Sequence, residues 1–503
     1  MSASHTLKFP NKEFARASKV ELIQMVLALR AENLKIKTES ELTITALQEK
    51  LAARDAEFEK LIKKDINMTA NQPSSKQPEF NKKTGQDSKT KNKKRKKTHK
   101  GRKGAGNQPK PEPDIVNNNP LDFCPACEAD LTNQTVVETV SRIVEDIPPP
   151  PEKTIISKEV QERKWCPICK DVVSSVSEVA LPGSDIGINA LCLMAYLWVV
   201  SAISLPGIAA LLNNFFSMRL STSGISKMMI RLAGIMESVY EEILGDVKGG
   251  KIIFADETGW RVKGVLWWLW IFANPRAAYY FPSKDRGSIV VEKILGAVFA
   301  GVLVTDAWYA YLQIISVKQT CMAHIMRKIR KFRDAYPQYY SIINFYKKLR
   351  LILLDGERLQ SMRKEIGEDV FQRRLILLKK RLRDLLAWKN PNSVLKEVIK
   401  KVARQKKYIL TFVEHEGVPN HNNFGEYIIK KGVLKRKVSG GSMSEEGVRA
   451  YAVLQSIAQT CHLRKISFLG FLTKSLIHYI RTGKPLLLSQ YESQLQNFKK
   501  EAA

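Results

Sequence analysis

The chain has 503 residues, 44% of them apolar, and 81 Lys and Arg against 50 Asp and Glu give it a net charge of +31. That length and apolar content suffice for two to four cored domains and exclude a disordered polymer, while the cationic excess favours a polyanionic partner such as nucleic acid. Residues 1–10 hold no apolar leader core, so the cysteines are expected to be reduced. The longest apolar run, residues 190–205, is shorter than the roughly twenty residues of a bilayer span, which predicts a buried helix ending at Pro206 and no membrane partner.

In chain order, residues 1–64 predict a helical segment. Ser18 and Glu21 have the spacing of a capping box, in which each side chain satisfies the other's free backbone N–H. Leu22, Val26, Leu29, Asn33, Ile36 and Ser40 follow a three-four repeat, and Ile44, Leu47, Leu51, Phe58 and Leu61 resume it after a stutter. An inward Asn33 suits a two-stranded coil and hence a homodimer; the alternative is one amphipathic helix packed on its own chain. Residues 65–120 read as a linker. Within it, residues 89–103 carry ten Lys or Arg and no acid. Lys93, Lys94, Arg95, Lys96, Lys97, Arg102 and Lys103 are therefore candidate phosphate contacts that bind DNA without reading sequence, against the plainer reading of a solvated spacer.

Residues 121–180 contain Cys124-Pro-Ala-Cys127 and Cys166-Pro-Ile-Cys169, two knuckles whose spacing suits one structural zinc ion held by four thiolates. Cys192, Cys321 and Cys461 stand in apolar or helical surroundings and read as core residues. Residues 181–248 are helical. A helix from Leu205, a turn and a second helix capped by Ser221 or Ser223 fit either a helix-turn-helix or plain helical packing.

The first part of a mixed α/β core occupies residues 249–335. Ile252, Ile253, Phe254 and Ala255 form an apolar run that ends in Asp256 and Glu257, the pattern of a strand buried on both faces. Residues 301–305 repeat the pattern and end in Asp306. Between them lie aromatic strands turned at Asn274-Pro275 and a short helix at 288–295. The resulting β-β-β-α-β order is the one that ribonuclease H-like folds use. A further short strand runs into a basic helix near His324, a residue that reads either as a hydrogen-bonding partner of the acids or as a core histidine. Residues 336–415 are a helical insertion, 416–485 the second part of the core and 486–503 a tail. A helix started by Asn422 and Asn423 would bring Glu426 to the two aspartates as a third oxygen ligand, with Glu445 and Glu446 as fallbacks. Glu257 points to the other side of its strand and reads as supporting. Arg436 and Lys437 precede Ser439-Gly440-Gly441, a candidate phosphate-holding loop.

Taken together, Asp256-Glu257-Thr258, Asp306 with its Trp-Tyr-Ala-Tyr, Cys321-Met-Ala-His324, Asn422-Asn423-Phe-Gly-Glu426 and Arg436-Lys437-Val-Ser-Gly-Gly resemble the transposases of the insertion sequence 66 family. The resemblance implies a DDE-type, ribonuclease H-like catalytic core with Asp256, Asp306 and Glu426 as its metal-binding triad. It further implies two catalytic Mg²⁺ ions, double-stranded DNA as substrate (terminal inverted repeats and target), accessory proteins of the same element as possible partners, and a bacterial, nucleoid-associated cytoplasmic location. The reaction expected is cleavage and strand transfer; a catalytically silent DNA-binding relative and a structure-selective nuclease are the alternatives. One position departs from the pattern: Tyr427 stands where such proteins commonly carry Arg after the catalytic Glu.

Overall fold

The computed structural model describes residues 120–141, 154–389 and 393–501, together with Val116 and scattered positions from Ser18 to Glu49. Its contacts divide the chain into two compact units, one drawn over residues 1–76, 176–203 and 227–503 and the other over 77–175 and 204–226.

In the smaller unit, β1 (Arg163–Cys166) and β2 (Asp171–Ser174) form an antiparallel hairpin that pairs Arg163 with Ser174 and Cys166 with Asp171. The second knuckle is therefore the turn of a hairpin. Helix α2 (Leu205–Phe216) also belongs here, and follows α1 (Ile188–Val199) of the larger unit in sequence. The expectation of one buried helix over 190–205 is thus corrected. Buried α1 stops at Val199, Ala202 takes a positive φ of 58°, and Pro206 sits in the first turn of α2, where its missing N–H leaves no bond unmade. Ser204 caps α2 by accepting from Gly207 N at 3.2 Å, and Ser221 caps α3 (Thr222–Ile235) by accepting from Gly224 N at 3.0 Å.

The larger unit is built on a five-stranded sheet: β3 (Ile252–Val262), β4 (Val265–Asn274), β5 (Ala277–Ser283), β6 (Val298–Thr305) and β7 (Ile315–Thr320) lie in the order β5-β4-β3-β6-β7. The first three strands are antiparallel, and the β4–β5 turn is held by Asn274 Oδ1, which accepts from Arg276 N and Ala277 N at 2.8 and 2.9 Å. Helix α5 (Ser288–Leu295) then carries the chain across to β6, which pairs parallel with β3 and with β7. This is the order that the strand pattern predicts. Helix α4 (Glu237–Lys248) precedes β3, and α6 (Tyr309–Leu312) and α7 (Met322–Ala335) follow β6 and β7.

One face of the sheet is covered by helices from the middle of the chain. Phe254, Val302 and Val304 share a core with Ile342, Phe345 and Leu349 of α8 (Tyr340–Ser361). The same core takes in Phe371 and Leu375 of α10 (Glu368–Leu386), reached through the short α9 (Arg363–Ile366), as well as Leu395 of α11 (Ser393–Arg404) and Phe412 of α12 (Thr411–Glu414). After them come α13 (Asn423–Ser439), α14 (Glu445–Arg464), α15 (Phe468–Thr482) and α16 (Leu488–Glu501).

The outer edge of the sheet is closed by side chains. On β5 the N–H groups of Ala278 and Tyr280 donate to Thr460 Oγ1 at 3.1 Å and Ser456 Oγ at 2.9 Å. Hydroxyls four apart on a helix rise about 6 Å, close to the two-residue step of a strand, so α14 replaces a missing strand and leaves no template for edge pairing. Replacing Ser456 by Ala and Thr460 by Val together orphans two buried donors and is expected to destabilise the protein by about 2–5 kcal/mol. A denaturant midpoint unchanged from wild type would refute that role.

Candidate active site

The buried run Ile252–Ala255 makes β3 a central strand, and its parallel register with β6 runs Ile252 to Val302, Ile253 to Leu303 and Phe254 to Val304. The pairing stops there, and Asp256 and Asp306 each follow two residues later, with the parity of Phe254 and Val304. Burial pushes the Asp256 carboxyl well above the usual range, and the charges of Glu257, Asp306 and Glu426 push it the same way. Asp306 is raised to about 7, first by burial and then by Glu257, against the Trp308 N–H and the cations Lys328 and Arg286, which pull it down. Asp256 Oδ1 accepts from Glu257 N at 2.9 Å and Asp306 Oδ1 from Trp308 N at 2.8 Å, so each has one oxygen fixed by backbone.

The third acid is delivered by a hydrogen-bonded crossing beside the two aspartates. Cys321 N donates to Thr305 O at 2.7 Å, Met322 N to Asn420 O at 2.9 Å, and Asn422 N to Cys321 Sγ at 3.1 Å. Asn422 Nδ2 closes the chain on Ala255 O at 2.9 Å, beside Asp256. Glu426 follows one turn into α13, its N–H on Asn422 O at 2.9 Å. Gly425 is needed here because a Cβ would meet Asn422 Oδ1 at 2.5 Å. Glu426 Oε1 is buried with no hydrogen-bond partner and lies 3.4 Å from His324 Nδ1. His324 is depressed to about 4, chiefly by burial and then by Arg327 and Lys328, which keeps its imidazole neutral.

Glu257 faces the other side of the sheet. Its Oε1 accepts from Arg286 Nε and Nη2 at 3.1 and 2.9 Å, and its Oε2 accepts from the Tyr311 hydroxyl at 2.5 Å. The Arg286 guanidinium lies over the rings of Trp268 and Trp308, 4.2 and 4.0 Å from their centroids. This brace runs from the middle of β3 to the segment after Asp306 and ties together the two stretches that carry the aspartates. Nothing in the sequence pattern marks Arg286 or Lys328; Tyr311 belongs to the Trp-Tyr-Ala-Tyr motif that follows Asp306, without any sign there of its bond to Glu257.

A family described as the IS66 transposase family matches residues 185–450, more than half of the chain and all of the elements that carry these acids. The chain belongs to the IS66 transposase family. It is also similar to two proteins of Sinorhizobium fredii (strain NBRC 101917 / NGR234): the uncharacterized protein y4qI, 24% identical over 56% of this chain and 57% of that one, and the uncharacterized protein y4jO, 29% identical over 19% of this chain and 29% of that one. The chain thus spans little more than half the length of the first and under a third of the second.

The remaining candidates of this IS66-family chain are placed as follows. Asn423 is exposed, as is Lys437 in the last turn of α13. Arg436 donates to Thr258 Oγ1 at 2.9 Å and to Gly259 O at 2.6 Å, so it braces β3. The candidate phosphate-holding loop after it is tied down: Ser442 N donates to Arg261 O at 2.8 Å and Lys263 N to Ser442 O at 3.0 Å. Gly441, with φ of 139°, approaches Arg261 O so closely that a Cβ would stand 2.2 Å from it. Glu445 pairs with Lys284 at 3.0 Å and Glu446 lies in the first turn of α14. The Tyr427 hydroxyl meets His462 Nε2 at 3.1 Å.

Cys192, Cys321 and Cys461 are buried, and burial pushes Cys192 to about 11 and Cys461 to about 12. In the knuckles, backbone N–H groups of residues 126 and 127 lower Cys124 and those of 169 and 168 lower Cys166, the environment that thiolate ligands use. No three of the four knuckle sulfurs lie within 4.8 Å of one another, whereas a tetrahedral ion needs sulfurs about 3.8 Å apart. The donor chemistry fits zinc and the spacing of the two knuckles does not. At Ser18 the predicted capping box is formed, Ser18 N donating to Glu21 Oε2 at 2.8 Å, and Asn33 and Ile36 are exposed. The other heptad positions, and Lys93, Lys94, Arg95, Lys96, Lys97, Arg102 and Lys103, lie outside the described residues. Among the described residues no helix is long and apolar enough to cross a membrane.

Proposed function

We propose that this chain is a DDE-type transposase with a ribonuclease H-like core, which binds the ends of an insertion sequence and carries out Mg²⁺-dependent phosphodiester cleavage and strand transfer. The observation that supports the reading is the parallel pairing of β3 with β6, which stops at Phe254 and Val304, two residues before Asp256 and Asp306. The sheet order β5-β4-β3-β6-β7 supports the likeness to ribonuclease H.

The residues fit divalent ions. Glu426 Oε1 is buried and unpartnered, and Asp256 and Asp306 are both raised first by burial and then by neighbouring negative charge, a state that a cation relieves. In this reading the three acids surround two ions about 3.5–4 Å apart. When bound, such ions activate the attacking oxygen and stabilise the leaving 3′ oxygen. The protein's own part is to hold the ligands. Backbone N–H groups fix Asp256 and Asp306, Asn422 spans the gap from β3 to α13, and Arg286 with Tyr311 locks Glu257 behind them. Lys328, which lowers the Asp306 carboxyl, is a cation beside the acids suited to a DNA phosphate. DNA is further held by the basic stretch at 89–103, and two chains pair through residues 18–61.

The test uses the full chain with Mg²⁺ on DNA bearing the inverted repeats that flank its coding region. Nicks at the repeat ends, followed by joining of the freed 3′ ends to a second duplex, are expected. Retarded but intact DNA would leave a binding protein only. Cutting without regard to the repeats, and with no joined products, would leave a structure-selective nuclease.

A further inference from the structure

Cys321, His324 and Glu426 form the one group of three metal-ligating side chains, among the described residues, whose ligand atoms all lie within 4.8 Å of one another. His324 Nδ1 is 3.3 Å from Cys321 Sγ and 3.4 Å from Glu426 Oε1. One nitrogen holds one proton or one lone pair, so hydrogen bonding can satisfy the sulfur or the carboxylate but not both. Glu426 Oε1 is the atom left without a bond. A cation at the centre of the three would satisfy all of them. Ligands at 2.3 Å for sulfur and 2.0–2.1 Å for nitrogen and oxygen around a tetrahedral ion stand about 3.4–3.6 Å apart, which the observed separations from the nitrogen nearly match.

We propose that Cys321, His324 and Glu426 form a binding site for a thiophilic divalent cation, zinc, distinct from the Mg²⁺ site of the acids and sharing only Glu426 with it. The donor set decides the metal. Thiolate and imidazole select zinc over magnesium, which takes oxygen and water. Cys321 is dressed for the role, since Asn422 N donates to its sulfur at 3.1 Å as backbone does in zinc knuckles. Three protein ligands leave the fourth position to solvent, and the His324 and Glu426 side chains, 24% and 25% exposed, give the ion a way in and out. Binding releases the Cys321 thiol proton to water, while the imidazole contributes its Nδ1 lone pair. An ion held there keeps Glu426 from Asp256 and Asp306, so zinc acts as a brake on DNA cleavage. That consequence rests on the function proposed above; the site itself does not.

The experiment counts zinc. Metal-stripped full-length protein is dialysed to equilibrium against micromolar free Zn²⁺ and the bound metal is quantified, in wild type, Cys321→Ser, His324→Gln, Asp256→Asn and Asp306→Asn. The first two variants are expected to bind one equivalent less than wild type and the aspartate variants the same as wild type, whatever the knuckle cysteines hold. Substituted Co²⁺ is expected to lose one equivalent's share of its thiolate charge-transfer absorption in Cys321→Ser. Should the buried serine variant unfold, His324→Gln, at a partly exposed position, carries the test with circular dichroism as its folding control. Equal zinc in wild type and His324→Gln overturns the proposal, and so does a loss of zinc in the aspartate variants, which would put the ion among the acids. Absence of DNA cleavage by the wild type leaves the zinc count readable and bears on the proposed function alone.

Discussion

Replacing Asp256 by Asn is expected to lower Mg²⁺-dependent nicking by at least about 1,000-fold, roughly 4 kcal/mol of transition-state stabilisation, while DNA binding stays within about threefold of wild type. The substitution keeps size and leaves Oδ1 available to the Glu257 N–H that donates to it at 2.9 Å. It removes the charge that Asp306 and Glu426 both oppose, and so the ability to share an ion with them. DNA affinity should survive because it comes from cations elsewhere in a chain of net charge +31. Nicking of end-bearing plasmid, with a gel-shift titration in the same salt, measures both quantities. Nicking within tenfold of wild type, with binding intact, sinks the assignment of Asp256.

The acids were legible in the sequence because each ends a run of apolar residues that only a central strand can bury. Ile252–Ala255 and Val302–Val304 have no polar alternation, but β3 does not end at Asp256 as that run suggests: it continues to Val262 with Trp260 and Val262 buried, and only its parallel pairing with β6 stops before the aspartates. What the sequence did not contain was the partner of each side chain. Arg286 reaches Glu257 across 29 positions, and Asn422 reaches Ala255 across 167, by bonds that exist only once β3 has paired. Burial of a charged side chain is likewise invisible to local pattern. Lys435 opens a run of cations, yet it is 2% exposed, its Nζ bonded to Ile203 O at 2.6 Å and held over Trp198. Desolvation pulls it down to about 7. Cys321 was read correctly as buried, and that reading hid its neighbours, because His324 lies one helical turn away while Glu426 lies over a hundred residues downstream. The apolar run at 190–205 divided between two helices because Pro206 opens a helix as readily as it follows one.

The second large effect is on stability, and its sign follows from Asp306. An unfolded aspartate titrates near about 3.9, whereas in the folded chain without metal burial and Glu257 hold this one at about 7. Below about pH 4 both states are protonated and the group has no effect. As pH rises from there towards 7 the unfolded chain gives up its proton first, so the folded state loses stability across that window and then levels off. Asp306 is half-buried, and solvent screening holds the loss to the order of 2–3 kcal/mol. Metal-free wild type is therefore expected to melt several degrees lower at pH 8 than at pH 5 on account of this group. Asp306→Asn, neutral throughout, should flatten that dependence and melt higher than wild type at pH 8. Mg²⁺ reverses the order. At about a hundred times its dissociation constant it adds roughly 2.7 kcal/mol to a protein that binds it only when folded, so it should raise the melting temperature of wild type and leave the variant nearly unmoved. Thermal melts at pH 5 and pH 8, with EDTA and with Mg²⁺, read all four quantities. A variant that melts below wild type in EDTA at pH 8 would show that the Asp306 carboxylate supports the fold, and that the charge crowding around Asp256 and Asp306 is not held in reserve for a cation.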